Sequence, residues 1–439
     1  MLTGNTSTSA ILQPQSQLTV SSRFDRTQRS PASAMPIGIV VFSAGLVVAF
    51  FLRASSIPTG ISSQHLFIAC CFCLIGAFSY LWASRKLTVS SAVLVFILLT
   101  LPSLISAEDS RAAGFRWFGW VLVMATVGPL FSNEIKLKLQ VLHWTRKLLL
   151  IFAVGSLLLN LFGIRLSGRG MFFGLTGHTM ILAPVCALAA IDLFCTQKHQ
   201  RPKWHVLLLV VCCVTCIGAG SRGAVIGMAV GILTHVVHRR QGFLVIAMAI
   251  TALVAVGFVQ SARSSDAVER DLEAGIYSEL TAKGTNDTRG HLWAARLEEY
   301  MSSPVIGVGF QQQRIYRKDT DENFLEPGSS YLAVLSMTGT VGLIGFVWLV
   351  VSLFSSLFTS TSAVPTAYQD LLRGWTAFFA VHLIIEGYIF ACGSLLCFLF
   401  WLTAGCSMSL HSLGRRKQMR DRTIVQMRAM QTLRKQAAA

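Results

Sequence analysis

Four residues on one face of a predicted helix combine two guanidinium groups with two aromatic rings. They fall at i, i+4, i+7 and i+11, and they are Arg289, Trp293, Arg296 and Tyr300. Guanidinium groups bind phosphate oxygens in pairs and aromatic rings pack against sugars, so this face suits a phosphate group that carries a sugar. The alternative is a surface helix whose arginines pair with Glu298 and Glu299.

The flanking residues predict where this helix begins and ends. Asn286-Asp287-Thr288 supplies small polar residues suited to capping its start. Pro304 ends the helix, and Gly307-Val308-Gly309 then predicts a flexible turn.

A second cationic position is Arg222, within Gly218-Ala219-Gly220-Ser221-Arg222-Gly223-Ala224. This segment predicts a tight turn between two helices, whose small residues allow close approach. The alternative is an arginine that snorkels to a membrane interface. The glycines on both sides favour a site, because they keep the guanidinium close to the helix start.

A third cationic segment contains Arg165, Arg169 and His178 in a glycine-rich connection that leads into an apolar stretch. We expect these three residues to contribute to binding an anionic substrate. Their clustering before the apolar stretch makes them candidates beside Arg222.

Four ionisable residues lie within apolar stretches, where charge is costly and often functional. Arg116 and Asp192 fall near the ends of their stretches, so we interpret them as snorkelling residues. His382 and Glu386 are four residues apart on one helical face and remain functional candidates.

The composition shows what must position these residues. Of 439 residues, 53% are hydrophobic and 13% are charged, whereas soluble domains carry roughly 25% charged residues. Apolar stretches near the ~20 residues that span a bilayer recur along the chain. The sequence therefore predicts an all-α polytopic membrane protein with about twelve transmembrane helices. They fall at about 36–52, 64–83, 88–106, 114–131, 148–164, 171–195, 205–219, 222–237, 242–260, 330–358, 375–391 and 394–411.

The distribution of Lys and Arg predicts that both termini are cytoplasmic. With that orientation, the inner connections and the C-terminal tail carry most of the basic residues. The short outer connections carry only Arg53, Arg111, Arg165, Arg169 and Arg222. The net charge of +17 is then a topology signal and an attraction to anionic membrane lipid, rather than to nucleic acid.

Residues 261–329 form a long polar segment with 12 of the 20 acidic residues and 8 basic ones. We predict that it is an extracytoplasmic loop between spans nine and ten, and that it contains the helix described above. The other predicted regions are a disordered cytoplasmic leader (1–35), nine spans (36–260), three spans (330–411) and a basic cytoplasmic tail (412–439).

Several enzyme classes lack their motifs in this chain. There is no phosphate-binding loop, no HExxH zinc motif and no GxSxG nucleophile turn. Cys212, Cys213 and Cys216 lie in an unbroken apolar run, which favours small buried side chains over a metal site. No predicted cytoplasmic segment is large enough to bind a nucleotide sugar, so a glycosyltransferase here would need a donor carried by lipid.

Taken in order, the motifs resemble those of the O-antigen ligase and O-antigen polymerase superfamily of bacterial envelope glycosyltransferases. The resemblance covers about residues 165–350. The matching elements are the Arg169–His178 stretch, the Gly220-Ser221-Arg222-Gly223 turn, Arg289 with Trp293, Ser303 to Phe310, Ser330-Tyr331-Leu332 and Gly339 to Leu343.

The resemblance implies a metal-independent, inverting glycosyltransferase without a cofactor and with a GT-C-like helical architecture. Its donor would be an undecaprenyl-diphosphate-linked glycan, and its acceptor a second glycan or lipid-linked molecule. The active site would face the periplasm from the bacterial inner membrane. Arg222 and Arg289 match the arginines that grip the donor diphosphate, whose developing charge guanidinium groups can stabilise.

One departure from the family pattern concerns the acceptor. Ligases of the family place a histidine before the Tyr-Leu element, but here Gly328 occupies that position. Glycine cannot accept a proton, so either another group serves as the catalytic base or the acceptor differs. The nearest candidates for the base are Glu326, Glu322 and His291, followed by His178 and Glu386. Trp293, Arg296 and Tyr331 remain candidates for substrate binding.

The missing histidine favours a polymerase of O-antigen, capsule or exopolysaccharide repeat units. The alternative within the class is a ligase that transfers finished glycan to lipid A-core or another acceptor. An alternative of another class is a transporter or flippase of lipid-linked sugars, with His382 and Glu386 as a proton relay. Polysaccharide assembly and chain-length proteins are expected partners of a polymerase.

Overall fold

A computed structural model describes most of the chain. It covers residues 37–57, 61–83, 87–131, 135–164, 174–196, 203–239, 290–310, 328–358 and 366–438. The chain divides into two compact units, Met1–Val41 and Phe42–Ala439. The structure describes only the first turn of one helix in the first unit.

The described residues are almost entirely helical. A 3-10 helix, Leu101–Leu104, follows α3. In chain order the α-helices are α1 (Ile37–Ala54), α2 (Ser63–Ala83), α3 (Ser91–Thr100), α4 (Ser110–Thr126), α5 (Ile135–Leu161), α6 (Thr179–Cys195), α7 (His205–Gly218), α8 (Arg222–His238), α9 (Gly290–Ser302), α10 (Ser330–Phe358), α11 (Thr366–Ile385) and α12 (Leu395–Ala438).

Every predicted span within the described residues overlaps an α-helix, which confirms the all-α prediction there. The ninth predicted span, 242–260, lies outside the described residues. Within the part of the chain that the structure describes, four helices are long and apolar enough to cross a membrane: α2, α5, α10 and α12. Others, such as α6 and α8 with 17 residues each, fall short of the ~20 residues of a full span. The count of twelve spans therefore stays a prediction.

Two helices extend well beyond the apolar stretches that predicted them. α5 begins at Ile135 and includes Lys138, which is buried and donates from Nζ to the Ser409 hydroxyl at 2.9 Å. α12 continues to Ala438 through the basic tail. The tail is rich in Arg, Lys, Gln and Met and has no proline, so its residues favour continuation of the helix.

Several helix ends meet at what we call the site end of the bundle, where α1 and α11 finish and α6, α8, α10 and α12 begin. Arg53 Nη1 donates to the Gly393 carbonyl at 2.7 Å, which ties the end of α1 to the turn before α12. Ser55 pairs with Thr176 just before α6. These contacts bring together the connections that contain the predicted functional residues.

The opposite end contains several ion pairs between helices. Arg239 pairs with the buried Asp370 on α11, which Arg373 also contacts at 3.3 Å. Asp192 accepts from Arg146 Nε at 2.9 Å through both oxygens. The interpretation of Asp192 as a snorkelling residue is therefore wrong, because a partner inside the protein compensates its charge.

The segment that follows α9 packs against a break in α10. Gly339 has φ +65°, which interrupts the helix, and residues 304–309 lie against the interruption. Val308 and Gly309 donate to the carbonyls of Ser336 and Met337 at 2.9 and 3.0 Å, and the Thr340 amide donates to the Pro304 carbonyl at 2.9 Å. The backbone groups released by the break thus find partners within the protein, as an apolar environment requires.

The Gly-Val-Gly turn is present as predicted, but it is packed rather than flexible. Gly307 and Gly309 have φ of +73° and +91°. The Ser106 hydroxyl donates to the Gly307 carbonyl at 2.6 Å. Phe310, 1% exposed, packs its ring 4.6 Å from that of Phe390. The turn therefore fixes the end of α9 to the core, and α9 itself stops at Ser302, before Pro304, as the sequence predicts.

Substitution of Gly307 by alanine should destabilise the protein more than the same change at Gly163. Both glycines have a left-handed φ, +73° and +66°. A methyl group at Gly163 meets nothing within 4 Å, whereas at Gly307 it would lie 2.5 Å from the Thr338 nitrogen. We expect a loss of about 1 kcal/mol for Gly163→Ala and roughly 3 kcal/mol for Gly307→Ala. Thermal unfolding of the two purified variants in detergent measures the difference, and equal losses would contradict the packed turn.

Candidate functional site

Arg222 is the first residue of α8, at the site end. The Ser221 hydroxyl accepts from the Ala224 amide at 3.5 Å and caps the helix. The Arg222 side chain is exposed. The structure thus places a guanidinium at a helix start, where the backbone amides add to its attraction for an anion.

A stripe of glycines brings α8 directly against α11. Gly223, Gly227 and Gly231 face α11, and a methyl group on Gly227 would lie 2.8 Å from the Phe378 ring. At Gly223 it would lie 3.1 Å from Ile385, the last residue of α11. Because small residues let helices approach closely, the stripe brings the start of α8, which contains Arg222, against the end of α11.

The start of α9 lies on the turn that precedes α10. The Trp293 indole donates from Nε1 to the Gly328 carbonyl at 3.2 Å, and the Trp293 side chain is 38% exposed. Gly328 has φ +68°, and a methyl group there would lie 2.9 Å from Leu292 Cβ. The absence of a side chain at position 328 therefore allows both a left-handed turn and the contact with α9.

The first turn of α10 is joined to the segment that follows α11. The Ser330 hydroxyl donates to the Glu386 carbonyl at 2.6 Å and accepts from the Tyr388 amide at 3.1 Å. His382 Nδ1 lies 3.0 Å from the Tyr388 hydroxyl. These residues are all buried, so they form a polar cluster among apolar helices.

Tyr331 and His178, both predicted to bind substrate, make contacts within the protein. The Tyr331 hydroxyl donates to the Ala380 carbonyl at 3.0 Å, which joins α10 to α11. His178 is the N-cap of α6, and its Nδ1 accepts from the Met180 amide at 3.1 Å. The His178 side chain is exposed, and the Tyr331 side chain is partly exposed.

Arg296 is buried between α9 and its neighbours rather than lying on the exposed face with Trp293. Its side chain is 3% exposed, and Nη1 contacts Glu299 Oε2 at 2.8 Å. Burial raises the pKa of the Glu299 carboxyl, and the opposing charge of Arg296 and the Ser336 hydroxyl lower it. The pairing matches the alternative weighed for this helix, and a contact of Arg296 with substrate stays a prediction.

Several predicted site residues lie outside the described residues. They are Arg165, Arg169, Arg289 and Glu326. His291 belongs to the first turn of α9, where the structure describes its backbone. No group of three or more His, Cys, Asp or Glu residues that could hold a metal ion occurs in the described part of the chain.

The site end thus combines an exposed guanidinium, an exposed indole and a buried polar cluster with one carboxyl, all positioned by helix ends. Residues 207–347 match the family model described as O-antigen ligase. This segment of the chain is similar to the O-antigen ligase family. The predicted resemblance to the O-antigen ligase and polymerase superfamily is therefore confirmed. No curated protein matches the chain in a sequence comparison.

The matched segment extends from α7 to the middle of α10 and covers about a third of the chain. It includes Arg222, α9 and the 328–331 turn, but neither His178 nor the end of α11. The family match and the apolar helices together indicate a multi-pass membrane enzyme of the glycosyltransferase type.

Sequence reasoning missed two residues of the polar cluster, Ser330 and Tyr388. In the sequence Ser330 stands out only as part of the Ser-Tyr-Leu motif, yet its hydroxyl joins two segments that are 56 residues apart. A signal was available, because a serine in the first turn of an apolar helix must find a polar partner. The sequence could not name that partner.

Replacing Gly328 by histidine should not create a working base. The new side chain would need a left-handed backbone and would overlap Leu292, so α9 must move away from α10. We expect no gain in polymer and a loss of roughly 2 kcal/mol in stability. Gly163→His, with a similar φ and open space, is the control. Polymer yield and thermal unfolding measure the outcome, and increased polymer would show that position 328 can accept a histidine.

Proposed function

We propose that the chain is an inner-membrane polymerase that joins undecaprenyl-diphosphate-linked repeat units of O-antigen, capsule or exopolysaccharide. It would be a metal-independent, inverting glycosyltransferase. The observation that carries the proposal is the exposed Arg222 at the start of α8, inside the segment that matches the O-antigen ligase family. A guanidinium held there can stabilise the charge that develops on a leaving diphosphate without a metal ion.

The other predicted residues would act around this arginine. Arg289 would bind the diphosphate with Arg222, because it directly precedes α9, whose first turn contacts Gly328. Trp293 would pack against a sugar of the donor or acceptor. The connection before α6 would add positive charge or hydrogen-bond donors through Arg165, Arg169 and His178. Tyr331 would also contact the substrate. Glu326 and His291 remain the sequence-based candidates for the base.

A ligase that transfers finished glycan to lipid A-core or another acceptor is the alternative, and the family match does not distinguish it from a polymerase. A deletion strain distinguishes the two. Loss of a polymerase leaves single repeat units on the acceptor, whereas loss of a ligase leaves long glycan on undecaprenyl diphosphate. The transporter alternative gains no support from the family match.

Alanine at Arg222 or Arg289 should abolish polymer while the protein stays in the membrane. Removing a charged donor at a developing anion costs about 10²–10³ in rate, and lysine should rescue poorly because an ammonium group lacks the paired donors of a guanidinium. Arg111→Ala, an exposed arginine at the start of α4, is the matched control. Gel analysis of extracted glycan measures the effect. Wild-type polymer from either alanine variant would count against that arginine as a donor ligand.

The predicted topology places residues 261–329 outside the cytoplasm and both termini inside. A reporter that is active only in the periplasm should work when it is inserted near residue 285. The same reporter fused after residue 439 should be silent, and a cytoplasmic reporter should give the opposite pattern. Cytoplasmic activity of an insertion near residue 285 would rule out a periplasmic site built from this segment.

A further inference from the structure

Three titratable side chains are buried together at the site end. His382, Glu386 and Tyr388 are 0%, 4% and 6% exposed. Burying a carboxyl, an imidazole and a phenol among apolar helices is costly. Packing alone would be served better by apolar residues, so this cost indicates a function for the cluster.

Glu386 lies between the two parts of the site that the sequence motifs identify. Its neighbour Ile385 contacts the position of Gly223, which directly follows Arg222. On the other side, the Ser330 hydroxyl donates to the Glu386 carbonyl at 2.6 Å, two residues from Gly328. Residue 386 is therefore adjacent both to the arginine helix and to the turn that contacts α9.

Hydrogen bonds hold the backbone of residue 386 and of the residues that follow it. The Glu386 amide donates to the His382 carbonyl at 3.0 Å, which extends the last turn of α11. The Ser330 hydroxyl bridges the Glu386 carbonyl and the Tyr388 amide. The Tyr388 hydroxyl lies 3.0 Å from His382 Nδ1 and closes the segment. A group held in this way keeps its position relative to the reacting atoms, as catalysis requires.

We propose that Glu386 is the general base that activates the acceptor hydroxyl, and that Ser330 is its positioning residue; this rests on the proposed function. The acceptor oxygen forms a bond to the anomeric carbon of the donor while its proton passes to the Glu386 carboxylate. The bond between that carbon and the diphosphate oxygen breaks, and its electron pair leaves with the diphosphate beside Arg222. The proton then passes from Glu386 to water.

The test measures polymer formation by three full-length variants, Glu386→Gln, Glu386→Asp and Ser330→Ala, and compares it with that of the wild-type protein. Glu298→Gln, an exposed carboxylate on α9, is the control and should behave as wild type. We expect Glu386→Gln to lower polymer formation about 10²–10⁴-fold, because its amide cannot accept the proton. Glu386→Asp should retain part of the activity. Ser330→Ala should lower polymer formation with the protein still folded, because residue 386 loses its anchor.

Two further measurements separate this proposal from the proposed function. Lipid-linked donor should accumulate in the Glu386→Gln strain, and the purified variant should bind undecaprenyl diphosphate like wild type. Wild-type polymer from Glu386→Gln, or loss of undecaprenyl diphosphate binding by it or by Ser330→Ala, would overturn the assignment. If instead Arg222→Ala keeps both polymer formation and undecaprenyl diphosphate binding, the proposed function fails, whatever Glu386 does.

Discussion

Backbone polar groups among apolar helices must find partners within the protein. The break in α10 leaves several such groups without their helical partners. The left-handed Gly339 releases amides and carbonyls in the middle of an apolar helix. Residues 304–309 pair with them, so the chain after α9 becomes part of α10. This single arrangement ties a polar, amphipathic helix to the hydrophobic core through Phe310. The hydrogen bond from Trp293 to the Gly328 carbonyl would not by itself fix the position of α9.

The site end is assembled by contacts of this kind rather than by a separate folded domain. The glycine stripe on α8 lets α11 approach until Gly223 meets Ile385. The Ser330 hydroxyl then joins α10 to the segment after α11. Because Gly328 has no side chain, α9 can pack against the turn that precedes α10. Each contact depends on a small residue or a short polar side chain at a helix end. Small residues are therefore as important to this site as the charged ones.

The two ends of the bundle use charge differently. At the end opposite the site, Asp192 and Asp370 compensate arginines of neighbouring helices, so charge there holds helices together. At the site end Arg222 is exposed at a helix start, and the Glu386 side chain, just after α11, is buried. An exposed cation is suited to binding an anion, and a buried carboxyl to moving a proton. The exposed charge contributes little to the stability of the fold.

The sequence by itself determined the helical class, the approximate positions of the helices within the described residues, the end of α9 before Pro304 and the resemblance to the O-antigen ligase family. These follow from apolar stretches, proline and local motifs, which act over a few residues. Only the tertiary structure decided that Arg296 turns inward to Glu299, that Asp192 pairs with Arg146, that the Gly307 turn fills a helix break, and that Glu386 lies beside Ser330. Those outcomes depend on which distant segment supplies the partner. A buried polar group demands such a partner, but the local sequence does not specify where it comes from.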